Sequence, residues 1–327
     1  MRVLVTGAAG FVGGIVADQL AAAGHQVTAL VRDEGVGPPP LDARVAIVTA
    51  DLLAPPELTA AGVEEGYEAV CHLAALTRVR ESVGDPLRYH EVNVAGTLNL
   101  LLALERGTRR HGIAPVVVFG SSCAVYGAGG LMPIPESAPT APLHPYGASK
   151  LSAERLVLDQ ARTGRIGAVV LRAFNVAGAT PGHADPDRSR IVPAALEVVA
   201  GLRDVFGING DGGTVREYVH VADMADAYRA ALEAVEPGET RVYNVGSGIG
   251  VSIIEVLDAV ERVTGRTVAR VRRPAVAEAR VLVADSSLIR AELGWRSDRS
   301  RIDRIVADAW AEMAGSAAWR DATPVSP

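Results

Sequence analysis

Residues 146–150 read YGASK, a phenol and a primary amine four positions apart in a segment with helical character. On a helix that spacing puts Tyr146 and Lys150 on one face. Free in water both groups are protonated at neutral pH, with reference pKa values near 10 and 10.4. An ammonium held beside a phenol favours the phenolate, so the pair is expected to bring the Tyr146 pKa down toward working pH. Such a phenol can take the proton of a substrate hydroxyl while the same carbon gives up a hydride, and can return the proton in the reverse direction. Upstream, SSCAVYG (121–127) closes an apolar run, and a hydroxyl there is placed to hold the reacting oxygen.

Hydride chemistry needs an acceptor, and the N-terminal residues supply a place for one. TGAAGFVGG follows the first β-branched run, with Gly7, Gly10 and Gly13 spaced GxxGxxG ahead of a helical pattern. Glycines at such a joint allow a tight turn, close approach of a pyrophosphate to the backbone and close helix–sheet packing. The helix N-terminus adds N–H groups and the positive end of a dipole. The second run ends at Val31, followed by Arg32 and Asp33, where a dinucleotide site of the NAD type would carry a carboxylate for the ribose. A guanidinium in that place suits a 2′-phosphate, so the sequence leans toward NADP over NAD. Asp51, at the end of the third run, is a candidate for the adenine amino group or a simple strand cap.

The elements that must position these groups follow an alternating order. Runs at 3–7, 26–31, 44–50, 68–74, 115–121 and 167–173 are nearly continuous in apolar residues, as strands covered on both faces require. Helical patterns at 11–23, 87–110 and 146–162 lie between them. The alternation predicts an α/β fold, a Rossmann-type doubly wound parallel sheet, with a smaller mixed α/β substrate domain after it. We assign residues 1–175 to the dinucleotide-binding domain, with segments near 214–247 returning to it, and 176–327 to the substrate-binding domain. Residues 33–42 and 178–190 read as loops from their Gly, Pro and polar content. Beyond them come helices near 191–201, 252–264, 286–293 and 301–314, strands near 217–221 and 241–245, and a frayed tail at 316–327.

Composition narrows the partners. With 49% hydrophobic residues and a formal charge of −6, the chain has ample core and no long basic run. Nucleic acid and anionic membrane surfaces are therefore not expected as partners. Cys71 and Cys123 lie in apolar contexts and imply no disulfide framework. MRVLVTGAAG turns glycine-rich too early for a signal peptide, and no apolar stretch of about 18 residues occurs. A cytoplasmic location is the default, and no metal site is expected.

TGAAGFVGG, CHLAA (71–75), NVAGT (93–97), SSCAVYG, YGASK, LRAFNVAG (171–178) and VREYVHVAD (215–223) stand in the order found in extended short-chain dehydrogenases/reductases. The chain most resembles the UDP-glucose 4-epimerase branch of that family over nearly its whole length. The resemblance implies Tyr146 as general acid/base, Lys150 as its electrostatic partner and Ser122 as the second hydroxyl. It places cofactor contacts at Gly7, Gly10, Phe11, Val12, Gly13, Arg32, Asp51, Leu52, Leu73, Ala74, Ala75, Asn93, Tyr146 and Lys150. It places substrate contacts at Ser122, Cys123, Asn175 and Arg216, with Asn175 and Arg216 on the diphosphate of a nucleotide sugar. It further implies a homodimer built on the helices containing 99–105 and 150–160. His72 and His220 occupy positions that are structural.

Cys123 and Ala124 stand where family dehydratases carry Asp-Glu, so water elimination is unsupported. What remains is redox at one carbon. A 4-epimerase removes hydride from C4 of the sugar to a retained oxidised cofactor and returns it to the opposite face. The alternative is an NADP-dependent reductase or dehydrogenase of a keto-sugar or similar substrate. GSSC also resembles the GDP-fucose synthase branch, where a cysteine acts as an acid alongside a histidine; here Arg190 precedes IVP, and His183 lies nearby. Two departures from the epimerase pattern bear on the substrate. Ala275 stands where direct alignment puts the phosphate-binding arginine of an Arg-x-Gly-Asp element, with Arg273 or Arg280 as substitutes. Ala173 replaces a frequent bulky aromatic.

Overall fold

The central strands of the main sheet pair in parallel because their residues are apolar on both faces and need cover on both, while the edge run Ala46–Thr49 stays largely exposed. The structure, a computed structural model, describes residues 1–33, 40–128, 130–276 and 279–315. The strands are β1 (Arg2–Thr6), β2 (Gln26–Val31), β3 (Ala46–Thr49), β4 (Ala69–His72), β5 (Val116–Ser122), β6 (Gly167–Ala173), β7 (Asn175–Ala177), β8 (Val215–His220) and β9 (Thr240–Val245). The main sheet has the order β9-β6-β5-β4-β1-β2-β3, parallel at every pairing. The order reverses between β1 and β4, the switch point outside whose strand ends a nucleotide binds in doubly wound sheets.

Alternation along the strands sorts the two faces. Val3, Val5, Cys71, Val118, Val169 and Tyr243 pack with α1 (Phe11–Ala22) and the helix Val221–Ala231. Leu4, Val70, Val117, Phe119 and Val170 pack instead with α2 (Gly96–His111) and α3 (Pro145–Ala161). The single helix expected over 87–110 is broken. Pro86–His90 is α-helical, Glu91–Ala95 is a π turn, and α2 begins at Gly96. The extra residue of a π turn swings one side chain inward, a device frequent at functional sites. Here it delivers Asn93, which accepts from Leu76 N at 2.8 Å and donates to Leu76 O at 3.0 Å and Ser149 Oγ at 2.9 Å. Asn93 thus ties the segment after β4 to α3 and caps no helix.

Of the segment 214–247, Thr240–Val245 joins the main sheet as the edge strand beside β6, while β8 builds a separate small sheet with β7, Gly250–Ser252 and Val281–Leu282. The loop read at 178–190 contains a short antiparallel pairing of Ala179–Thr180 with His183–Ala184. The readings at 34–39 and over the tail 316–327 lie outside the described residues. No helix among the described residues is long and apolar enough to cross a membrane.

Glu217 of β8 holds the small sheet together. Its carboxylate is fully buried and accepts from Gly248 N at 2.6 Å and Ala284 N at 2.7 Å. Burial raises its pKa to about 7, and those two amides pull it back. Glu217→Ala strands both N–H groups, at about 1–3 kcal/mol each. Urea denaturation should show a loss of about 3 kcal/mol, with the midpoint lowered and the slope unchanged.

Candidate active site

The glycine joint is built so that no side chain fits within it. Gly7 has φ +73°, and a Cβ there would stand 2.6 Å from Ala74 N, so Leu73 and Ala74 after β4 lie directly against the turn. A Cβ on Gly13 would stand 2.2 Å from Gly7 O. Gly10 begins α1 without a side-chain cap, which leaves the first N–H groups of the helix for an anion. Phe11 and Val12 pack inward behind them. This cradle fits a dinucleotide pyrophosphate. Arg32 and Asp33 follow β2 on the exposed rim, and Asp51 and Leu52 follow β3 beside it. The Asp51 carboxylate accepts from Leu53 N at 2.8 Å, and Leu52 O accepts from Asn99 Nδ2 at 2.8 Å. His72 is locked between Thr6 Oγ1 at 2.7 Å and Thr97 Oγ1 at 2.9 Å, and burial drops its pKa to about 3, in keeping with a structural role.

Across the switch point α3 carries the acid/base pair. Pro145 sits at its first turn and His144 caps it, Nδ1 accepting from Gly147 N at 3.3 Å. Tyr146 is held between the His144 ring, stacked at 6.2 Å, and the Tyr89 ring, edge-on at 6.4 Å. The Ser122 hydroxyl, at the end of β5, accepts from Ala124 N at 3.2 Å and lies near enough to the Tyr146 phenol to favour its ionised form. Lys150, 3% exposed, lies with its ammonium 4.3 Å from the centre of the Phe119 ring.

The electrostatics differ from the sequence-based expectation. Burial pushes the Tyr146 phenol up to about 12, although Ser122 and Arg190 pull it down. Burial takes the Lys150 amine down to about 7, and Glu154 opposes the fall. Desolvation disfavours both charged forms and is the largest influence on each group.

Cys123 opens the turn Cys123–Tyr126, near Arg216 and Glu217 on β8. Burial raises its thiol to about 12, a poor acid at neutral pH. His183 is committed elsewhere. Its Nε2 lies 2.8 Å from Asp18 Oδ2, and its ring covers Gly14 of α1. Asn175, on β7, donates to Glu217 O at 3.1 Å, and Arg216 NH1 donates to Val215 O at 2.8 Å. Ala173 is the register partner of Ser122, so its small side chain leaves space beside that hydroxyl. Arg273 lies across Gly207, whose Cβ would meet Nε at 2.3 Å, while Arg280 pairs with Asp211 at 3.4 Å on the surface. The sheet edge therefore gathers Ser122, Cys123, Tyr146 and Lys150, with Arg216 near Cys123 from the small sheet.

Several site residues escaped the motif reading. Arg190 bonds Asp185 at 3.1 Å, and Asp187 stands between Arg190 Nε at 3.8 Å and Arg78 Nε at 3.6 Å, which anchors the 178–190 loop beside Tyr146. Behind Lys150 lies a buried group of Glu154, Arg172 and Ser121. A signal for this region was available: among 32 Lys and Arg residues, Lys150 is the only lysine. Every other cation is a guanidinium, which does not deprotonate, so the retained amine marks a position where a compact, titratable cation is needed.

A glycine cradle at the switch point, with a buried Tyr–Lys pair and the partly buried Ser122 beside it, defines a dinucleotide-dependent enzyme of the extended short-chain dehydrogenase/reductase type. The NAD dependent epimerase/dehydratase family matches residues 3–246. UDP-glucose 4-epimerase of Streptomyces lividans is 37% identical over 323 residues, covering 94% of this chain and 95% of that protein. The enzyme of the same name from Corynebacterium glutamicum is 37% identical over 324 residues, covering 95% of each. UDP-glucose 4-epimerase from Stenotrophomonas maltophila, solved with bound NAD and formylated UDP-arabinopyranose, superposes with a TM-score of 0.87 at 32% identity, covering 99% of this chain and 100% of that one. The Brucella ovis enzyme in complex with NAD gives 0.86 at 34% identity, covering 95% and 97%. The chain belongs to the NAD-dependent epimerase/dehydratase family.

Gly13→Ala tests the cradle. The added methyl overlaps Gly7 O and forces the turn apart, at a cost of about 1–3 kcal/mol. Fluorescence titration should show NAD bound about tenfold more weakly or worse, with far-UV circular dichroism unchanged.

Proposed function

We infer that the protein is an NAD-dependent nucleotide-sugar 4-epimerase. The reading is carried by Ser122 beside the Tyr146 phenol at the sheet edge, one turn from Lys150, with Cys123 and Ala124 leaving no acid–base pair for dehydration. Bound NAD supplies a hydride acceptor and donor and a positive ring charge. Gly7, Gly10, Phe11, Val12 and Gly13 would hold its pyrophosphate side, Arg32, Asp51 and Leu52 its adenosine, and Leu73, Ala74, Ala75, Asn93 and Lys150 the remainder. Tyr146 takes the proton of the sugar 4-hydroxyl as hydride leaves that carbon, and Ser122 holds the same oxygen. Because burial sets the phenol high, the positive charges around it, from Lys150, Arg190 and the oxidised ring, must make its ionised form accessible. Arg216 and Asn175 hold the diphosphate, so the keto-sugar turns about that link and receives hydride on its other face. Tyr146 then returns the proton, with no net redox.

In this reading residues 1–175 carry the cofactor and 176–327 the substrate, with Thr240–Val245 returned to the first unit. The relatives solved with NAD favour NAD as the cofactor, while Arg32 on the rim is the feature that favours NADP. A second copy of the chain would pack on α2 and α3, where Leu98 and Leu102 are exposed beside Leu156.

Purified protein incubated with UDP-glucose, UDP-glucuronate or dTDP-glucose, without added cofactor, should form the C4 epimer of at least one. Conversion of none, with stoichiometric NADPH consumption on a keto-sugar, would establish the reductase instead. Tyr146→Phe should lower kcat by about 10²–10⁴-fold. Nucleotide released by denaturation should be NAD and not NADP.

A further inference from the structure

Lys150 is taken out of water, yet the reaction proposed above needs it charged. Its surroundings show what provides for that. Glu154 follows one turn later on α3, 1% exposed, and the two side chains share a face. The Glu154 carboxylate is clamped from behind: Ser121 Oγ donates to Oε2 at 2.9 Å, and Arg172 donates through NH2 to Oε1 at 2.5 Å and through Nε to Oε2 at 3.2 Å. Arg172 is fixed in turn. Its NH1 donates to Tyr126 Oη at 2.8 Å and Glu136 O at 3.1 Å, and Tyr126 donates to Asn244 Oδ1 at 2.7 Å. Ser121 and Phe119 alternate along β5 toward α3, so one strand face supplies both the donor to the carboxylate and the ring under the ammonium.

We propose that Glu154 is a positioning residue for the reaction: held rigid by Arg172 and Ser121, its carboxylate keeps the buried Lys150 amine in the ammonium form that Tyr146 requires. The proposal rests on Lys150 being the partner of Tyr146. The titratable or charged groups around the amine are Tyr146 and Glu154 on its own helix, His72 on β4, Arg172 on β6 and Tyr89 of Pro86–His90 against the Tyr146 ring. His72 is neutral at working pH, its burial and the charge of Lys150 both holding it down. Glu154 is the one anion in this set, and the direction of its influence on Lys150 is upward. Without it, the buried Lys150 amine would lose the counter-charge that its own helix supplies.

The sole lysine gives a direct test. Full-length protein carrying ¹³Cε-labelled lysine shows one lysine resonance, which can be followed against pH whether or not the enzyme turns over. Glu154→Gln keeps the volume and an oxygen acceptor for Ser121 and Arg172 but removes the charge. Its resonance midpoint should fall by about one pH unit or more below that of the parent. Glu154→Asp, which draws the charge back by one methylene, should fall between the two. The alkaline limb of kcat should move down with the midpoint in each variant. A Gln variant with an unmoved midpoint and reduced turnover would overturn the proposal, leaving Glu154 a packing residue. If the Gln variant does not fold, the Asp variant decides alone, and a midpoint equal to or above the parent's overturns the proposal. A midpoint that shifts as expected in a protein that epimerises no nucleotide sugar upholds the Glu154 assignment and removes the 4-epimerase reading.

Discussion

The site depends on how an amine is kept useful after its water has been removed. Packing α3 against β5 buries Lys150 over Phe119, and burial alone drives the amine toward neutrality. The same packing drives the Tyr146 phenol away from ionisation. Two groups of opposite charge preference are therefore both pushed toward their uncharged forms by one event. The remaining structure around them works against that push: Ser122 and Arg190 at the phenol, and Glu154, anchored on β5 and β6, at the amine. Catalytic groups with opposed environmental shifts are common where acid–base work is done near neutrality.

That arrangement explains why the sheet edge is so heavily cross-tied. Asn93 in its π turn fixes α3 from one side through Ser149, and the chain from Arg172 through Tyr126 to Asn244 fixes it from the other. The small sheet built on β8 brings Arg216 to the same edge and is itself knit by the Glu217 carboxylate. His183, bonded to Asp18 and lying over Gly14, ties the 178–190 loop to the helix that begins the glycine cradle. The loop therefore touches both halves of the site, with Arg190 at one end and His183 near the other.

Much of the fold was legible because parallel strands buried on both faces leave a simple trace. The runs at 26–31 and 167–173 coincide with β2 and β6 to the residue. The break within 87–110 was not legible, since a π turn changes the hydrogen-bond register without altering apolar periodicity. The place of β8 outside the main sheet was equally hidden, because strand pairing between distant segments has no local signature. At the site, the Tyr146–Lys150 pair and the glycines stood out by spacing, and Ser122 through the family resemblance. The direction of the phenol's shift could not, because spacing reports which groups are neighbours while burial, a tertiary property, decides how much each charge costs. Glu154 sits four residues beyond Lys150 in plain view, but its clamp comes from β5 and β6.

One compositional feature reaches beyond the site. With its single lysine buried on α3, the described surface carries its permanent positive side-chain charge on arginines. Amines condense readily with aldehydes and open-chain sugars to form Schiff bases, whereas the permanently charged guanidinium does so far less readily. An amine-directed reagent would therefore find no lysine on the described surface.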